Sequence, residues 1–184
     1  DSVGFDLYSQ MLQDAIAKRK GKKPKSTRPQ TDIDVGADAY IPDSYISDPK
    51  QKIDMYKRFK NIESIEDVSD LEDEMIDRFG DFPEEVMRLF AVSRVKVLAE
   101  ELGIESVKEE KSAFSVLFSE TASAQVNRAG LAEVASRMGD TVNLGTHGNK
   151  IKLVVKGDEL ATTTQLERLQ EALATLCESQ KQTA

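Results

Sequence analysis

The chain has 184 residues, 39% of them hydrophobic, which suffices for one domain of ordinary core size plus a tail or linker. Its single cysteine, Cys177, excludes an internal disulfide and fits a reducing, cytoplasmic setting. Its single histidine, His147, removes most zinc and acid–base arrangements, and a formal charge of −8 argues against the whole chain being a nucleic-acid binder.

No run of about 18 apolar residues occurs, so neither a transmembrane helix nor a membrane partner is expected. The opening Asp1-Ser2-Val3-Gly4 lacks an initiator Met and a signal-like stretch, and reads as a cut from a longer protein. Charge is unevenly placed. Seven basic residues and no acids lie between Lys18 and Arg28, whereas the remainder carries 18 basic and 33 acidic residues. From Glu63 to Glu85 there are eleven acids and one base, Arg78. Different surfaces are therefore expected to meet different partners.

In chain order, Phe5 to Lys20 reads as a helix, with Phe5, Tyr8, Leu12, Ala15 and Ile16 at three- and four-residue spacing. Gly21 stops it. Lys22-Lys23-Pro24-Lys25-Ser26-Thr27-Arg28-Pro29 is linker-like, because prolines and like charges keep it extended. A boundary is placed there, giving residues 1–30 as helix plus basic linker and 31–184 as the domain proper. The basic run is a solvated linker or a sequence-blind phosphate contact.

Ile33, Val35, Ala37 and Ala39 alternate with polar or small residues and predict a strand with one buried face, ended by Pro42. Asp48 before Pro49 is a good N-cap and first helical residue, and Ile53, Tyr56 and Phe59 mark that helix's buried stripe. Ser69-Asp70-Leu71-Glu72 has capping-box form. Leu71, Met75, Ile76 and Phe79 follow as an apolar arc, with Asp70, Asp73, Glu74 and Asp77 roughly opposite as one exposed acid face. Gly80 suits a helix end and Pro83 the first position of the next helix, where Glu84 and Glu85 favour the helix dipole. That helix is expected to reach Leu102, with Gly103 as its stop. Val86, Leu89, Phe90, Val97, Leu98 and Leu102 would face the core.

Beyond Gly103 the period changes. Ser106 to Lys111 and Ala113 to Phe118 predict a hairpin, and Ala124 to Met138 a helix. Thr141 to Leu144 and Ile151 to Val155 are two more strands, joined by Gly145-Thr146-His147-Gly148-Asn149 of turn composition. A last helix runs from about Glu159 to Glu178, with Leu166, Leu169, Leu173, Leu176 and Cys177 on one face. The expected class is α+β. An N-terminal helical part precedes a small, mainly antiparallel sheet in strand–strand–helix–strand–strand–helix order, with helices packed on it.

No catalytic, metal-binding or cofactor-binding residue emerges. The glycines at 145 and 148 do not form a phosphate loop, and neither the Walker nor the dinucleotide signature is present. His147 reads as an exposed turn residue with no second His or clustered Cys to share a metal. Cys177 reads as a buried structural thiol, since Leu173, Leu176, Ser179 and Gln180 offer it no base. Glu74 and Asp77 share a helix face. Pattern alone leaves them as a solvated face or an acidic docking surface for basic residues of another domain. Arg78, four residues after Glu74, is placed to pair with it within the helix.

Four separated motifs agree in wording and spacing with one family. They are Val3-Gly4-Phe5-Asp6-Leu7-Tyr8-Ser9-Gln10-Met11-Leu12; Asp38-Ala39-Tyr40-Ile41-Pro42-Asp43-Ser44-Tyr45-Ile46; Lys52, Tyr56 and Arg58; and Glu74-Met75-Ile76-Asp77-Arg78-Phe79-Gly80 followed by Pro83. On these residues the chain resembles the C-terminal domain of bacterial transcription-repair coupling factor. The match runs in order along the whole chain, strongly to Gly103 and weakly beyond.

The resemblance implies a parent that is an ATP-driven DNA translocase, with ATP and Mg in its motor. That parent displaces stalled RNA polymerase and recruits the excision-repair damage-recognition protein. Residues 1–30 look like the end of that motor plus a tether. The resemblance further implies that this domain is not an enzyme and holds no cofactor of its own. By the same resemblance it is expected to be autoinhibitory, folding onto the parent's N-terminal repair-recruiting module and masking the surface that binds the damage-recognition protein. The family's contact uses acids of the Glu-x-x-Asp-Arg-Phe-Gly motif, here Glu74 and Asp77. The alternative is a DNA-contacting accessory module that uses the basic segment 18–28.

Overall fold

The computed structural model describes residues 29–36, 38–157 and 162–182. The expected first helix and the basic segment 18–28 lie outside them. Within the described residues the chain divides into two compact units, one of residues 38–97 and one of residues 29–36 and 98–182.

The first unit holds α1 (Pro49–Lys60), α2 (Ile65–Phe79) and the greater part of α3 (Glu84–Leu102). Asp48 caps α1 by accepting from the Lys50 N–H at 3.1 Å, and Pro49 takes the first turn as expected. Met55, Tyr56 and Phe59 form the buried stripe of α1. Ile53, expected in it, is 40% exposed, because it sits about 110° from the stripe's centre at 100° per residue. Tyr56 accepts the buried Ile41 N–H on its hydroxyl at 2.8 Å, which ties the incoming loop to α1. Phe59 and Phe90 pack with ring centroids 4.7 Å apart.

Helix α2 starts one turn earlier than expected. Its capping box is Ser64 with Asp67, not Ser69 with Glu72: the Asp67 N–H donates to Ser64 Oγ at 3.1 Å, and the Ser64 N–H to Asp67 Oδ2 at 3.2 Å. Both tetrads have the right spacing. Val68, fully buried, extends the apolar line upstream and selects the earlier one. Val68, Leu71 and Met75 are buried, whereas Ile76 is 46% exposed, about 100° off that line. Gly80 ends α2 at φ 90°, in the region that favours glycine, and donates its N–H to the Ile76 carbonyl at 2.9 Å. Helix α3 opens at Glu84, one residue after Pro83, whose carbonyl accepts from Val86 and Met87. Its predicted core positions are all buried.

The second unit is a five-stranded sheet with helices. The strands are β1 (Asp32–Asp34), β2 (Ile104–Glu110), β3 (Ala113–Phe118), β4 (Val142–His147) and β5 (Lys150–Lys156), in the order β1-β2-β3-β5-β4. The hairpins β2–β3 and β4–β5 are antiparallel, as expected for short connections, and the β3–β5 pair between them is antiparallel too. The predicted early strand is shorter than its alternation suggests. It joins the sheet edge parallel to β2, and its pairing ends at Asp34 with Lys108. Val35 and Ala39 are buried without being strand, and Ala37 lies outside the described residues. Phe114, Val116 and Phe118 of β3 point to the core with Leu153 and Val155 of β5.

The helix expected over Ala124–Met138 is two: α4 (Glu120–Gln125) and α5 (Arg128–Met138). Val126 is extended between them, and Asn127 caps α5 by accepting from the Ala129 N–H at 2.9 Å. The five-residue turn expected after Leu144 narrows to Gly148-Asn149, because β4 continues to His147, which pairs with Lys150. The last helix, α6 (Thr162–Gln182), buries Leu166, Leu169, Leu173, Leu176 and Cys177 as expected. Its expected start at Glu159 lies outside the described residues. Among the described residues no helix is long and apolar enough to cross a membrane.

Candidate functional site

The acid face of α2 is assembled from both ends. The capping box fixes its start, with Glu66 and Asp67 in the first turn beside the positive end of the helix dipole. Its end is pinned by Tyr45, whose hydroxyl donates to the Gly80 carbonyl at 2.7 Å. The Tyr45 ring also packs against Phe79 and Phe82, at centroid distances of 5.9 and 6.2 Å. Between these ends Glu72 pairs with Arg94 of α3, which binds the flank of α2 to the next helix.

Glu74 and Asp77 do share one side of α2, but they differ in their partners. Arg58, in the last turn of α1, places Nη1 2.8 Å from Glu74 Oε1 and 2.9 Å from Oε2. Arg78 adds Nη1 at 3.1 Å from Oε2, the pair expected from the four-residue spacing. The hydrogen bond from Arg58, ahead of the contribution of Arg78 and against some desolvation, holds the Glu74 carboxyl below its usual pKa. Arg78 is held twice, its guanidinium carbon also lying 4.9 Å from the Phe79 ring centroid.

Asp77 is exposed and meets no cation among the described residues, and the same is true of Asp70 and Asp73. Ile76 stands exposed beside them. Chemically, this is a face that offers open carboxylates next to one apolar side chain, with the ion-paired Glu74 carboxylate beside them. Sequence reasoning missed Arg58 as the main partner of Glu74. The two are 16 residues apart, and only the packing of α1 against α2 unites them. The position of Arg58 in the final turn of a helix joined to α2 by a short loop was the available signal.

Elsewhere, His147 is exposed at the end of β4, and no cluster of metal-ligating side chains occurs among the described residues. Cys177 is buried and donates to the Leu98 carbonyl at 3.6 Å. Burial is the main cause that pushes its thiol up to about 12.

A two-unit α+β domain with an acidic helix closed by a Tyr-pinned glycine corner is the class of protein that fold and site define. The chain belongs to the TRCF domain family, whose model matches residues 35–129. It is 45% identical over 183 residues to the transcription-repair-coupling factor of Bacillus subtilis (strain 168), covering 100% of this chain and 16% of that protein. It is 35% identical over 156 residues to the transcription-repair-coupling factor of Staphylococcus aureus (strain USA300), covering 84% of this chain and 13% of that protein. The chain therefore spans about one sixth or less of the length of these relatives. Its fold matches a crystal structure of the C-terminal domain of transcription-repair coupling factor, with a TM-score of 0.78 at 23% identity, over 88% of this chain and 100% of that one.

Proposed function

We propose that this chain is a regulatory, non-catalytic domain of a transcription-repair coupling factor. It docks through the acid face of α2 onto the parent's N-terminal repair-recruiting module. Docking masks the surface that binds the excision-repair damage-recognition protein and restrains the translocase. The observation that carries this reading is Asp77, an exposed carboxylate with no cation among the described residues, on a helix of a chain that belongs to this family. Exposed acids meeting basic residues set register and specificity across such an interface. In the same reading, residues 1–30 are the end of the motor region and its tether. The motor, with ATP and Mg, engages DNA and stalled RNA polymerase elsewhere in the cytoplasmic parent.

The direct test removes the domain from the full-length protein and measures binding of the damage-recognition protein. Removal is expected to strengthen that binding, because the masked state is no longer populated. Unchanged binding contradicts the proposal. The seven basic residues of segment 18–28 favour a second reading, DNA contact by this chain. That reading requires salt-sensitive DNA binding by the folded chain, and a flat titration at low salt dismisses it.

A further inference from the structure

The two edges of the sheet are built differently. The strand β1 is three residues long and carries Asp32 and Asp34. Short, charged edges discourage further pairing. At the other edge β4 is six residues long, Val142-Asn143-Leu144-Gly145-Thr146-His147, with no Asp, Glu, Lys, Arg or Pro. It pairs with β5 without a bulge, from Val142 with Val155 to His147 with Lys150. Every residue from Asn143 to His147 is exposed, Leu144 among them at 43%. This edge lacks the usual devices that stop a strand from accepting another.

The hairpin turn fixes which backbone groups are open. His147 and Lys150 flank the two-residue turn Gly148-Asn149 and exchange both hydrogen bonds, so alternate residues of β4 face away from β5. These are Thr146, Leu144 and Val142. The same alternation turns the Ile151 N–H of β5 away from β4, where it donates to Ser123 Oγ at 2.8 Å. The Val142 N–H is given to the Gly139 carbonyl. The N–H groups of Leu144 and Thr146 have no acceptor among the described residues.

Charge selects the occupant. Leu153 and Val155 of β5 face the core, so Lys150, Lys152 and Lys156 stand on the opposite face of the sheet. Lys150 pairs with Glu105, whereas Lys152 and Lys156 meet no anion among the described residues. Neither β4 nor β5 contains an acid. Lys152 lies opposite Gly145, which has no side chain to block its reach toward the edge. We propose that β4 is a docking edge that takes an extended peptide segment of a partner protein as a further strand, with acidic side chains toward Lys152 and Lys156 and apolar ones beside Leu144. Main-chain hydrogen bonds at Leu144 and Thr146 hold the segment, and its alternating side chains give the specificity. A second copy of β4 lacks the acids that this edge calls for. The surface lies in the second unit and goes beyond the docking proposed for α2.

The test pans a phage-displayed library of short random peptides against the 184-residue chain. Selected peptides are expected to alternate acidic and apolar residues and to slow amide hydrogen exchange at Leu144 and Thr146. Lys152→Glu should weaken their binding about tenfold or more, because like charges then face each other. Thr146→Pro removes one open N–H without removing a bond to β5, and should abolish binding with the fold retained. Should Thr146→Pro fail to fold, Leu144→Glu sets an acid against the acidic segment and should abolish binding instead. Peptides that bind these variants as well as the unmodified chain overturn the proposal, as does a library that yields no binder protecting the two amides. A single-stranded oligonucleotide that binds at Lys152 more tightly than every selected peptide assigns the lysines to phosphate. Dimerisation of the chain that Thr146→Pro abolishes assigns the edge to a second copy. Either result also overturns the proposal.

Discussion

The Tyr45 hydroxyl donates to the Gly80 carbonyl at 2.7 Å and lies 3.3 Å from that of Met75. The Gly80 carbonyl lies just past the end of α2, where backbone acceptors lack helical partners, and the Met75 carbonyl lies one turn inside it. One side chain, delivered by the loop before α1, therefore closes the helix that carries the acid face. Tyr45→Phe keeps the ring contacts with Phe79 and Phe82 and removes only the hydroxyl. It is expected to cost about 1 kcal/mol and to lower the melting temperature by about 2–4 °C. Calorimetry of the two proteins checks this, and equal melting temperatures would show the pin to be idle.

Helices α5 and α6 approach closely at Gly130. A Cβ added there would lie 2.0 Å from Ser179 Oγ and 2.7 Å from Ser179 Cβ. Ser179 is buried and bonded to the Leu176 carbonyl at 2.7 Å, so it has little room to yield. Gly130→Ala is expected to destabilise by about 1–3 kcal/mol. Ser179→Gly should recover part of that loss in the double variant, whereas Ser179→Ala should recover less, because its Cβ remains. Denaturant unfolding of the four proteins separates these cases.

Cys177 is held as a thiol by burial, its pKa pushed up to about 12. The thiolate is the reactive form, so the residue should be inert to a thiol reagent at pH 8. Labelling should proceed at the rate at which the second unit opens and accelerate with denaturant. Fast labelling of the folded protein would contradict the burial of this side chain.

Arg58 and Arg78 lower the Glu74 pKa from its ordinary value of 4.5. A depressed folded pKa means that the stabilisation is complete above the unfolded value and is lost as pH falls through the folded one. The Glu74 side chain is 35% exposed, so solvent screening keeps the effect on the scale of exposed pairs, about 0.2–1 kcal/mol. Glu74→Gln should therefore be slightly less stable than the unmodified protein at pH 7. The gap should close as pH drops below 4.5 and vanish once Glu74 is protonated in the folded state as well. A gap that persists at the acid end would assign the effect to packing.

Local chemistry made much of this fold legible. Asp48-Pro49, Gly80, Pro83 and Gly103 each act on their own neighbours, and helix boundaries followed them closely. Where two local solutions competed, spacing could not choose. Ser64 and Ser69 both offer a capping box, and the burial of Val68 decides between them. The break at Val126-Asn127 was hidden because the apolar period runs through it, while Asn127 restarts the helix by capping α5. At the site, the acid face and the Glu74–Arg78 pair follow from helical geometry. The Arg58–Glu74 contact does not, since it depends on how α1 and α2 pack. Helical spacing thus puts both acids on one side but leaves the partner of Glu74 on α1 invisible.

The most direct test of the central claim is the affinity of the full-length protein for the damage-recognition protein, with Glu74→Lys and Asp77→Lys introduced together. Two of the four acids of that face then carry the opposite charge, while the rest of the parent is untouched. If α2 docks on the repair-recruiting module, the variant should bind the damage-recognition protein about fivefold more tightly or better. A folded variant that binds it no more tightly than the unmodified protein would contradict the docking role of this helix.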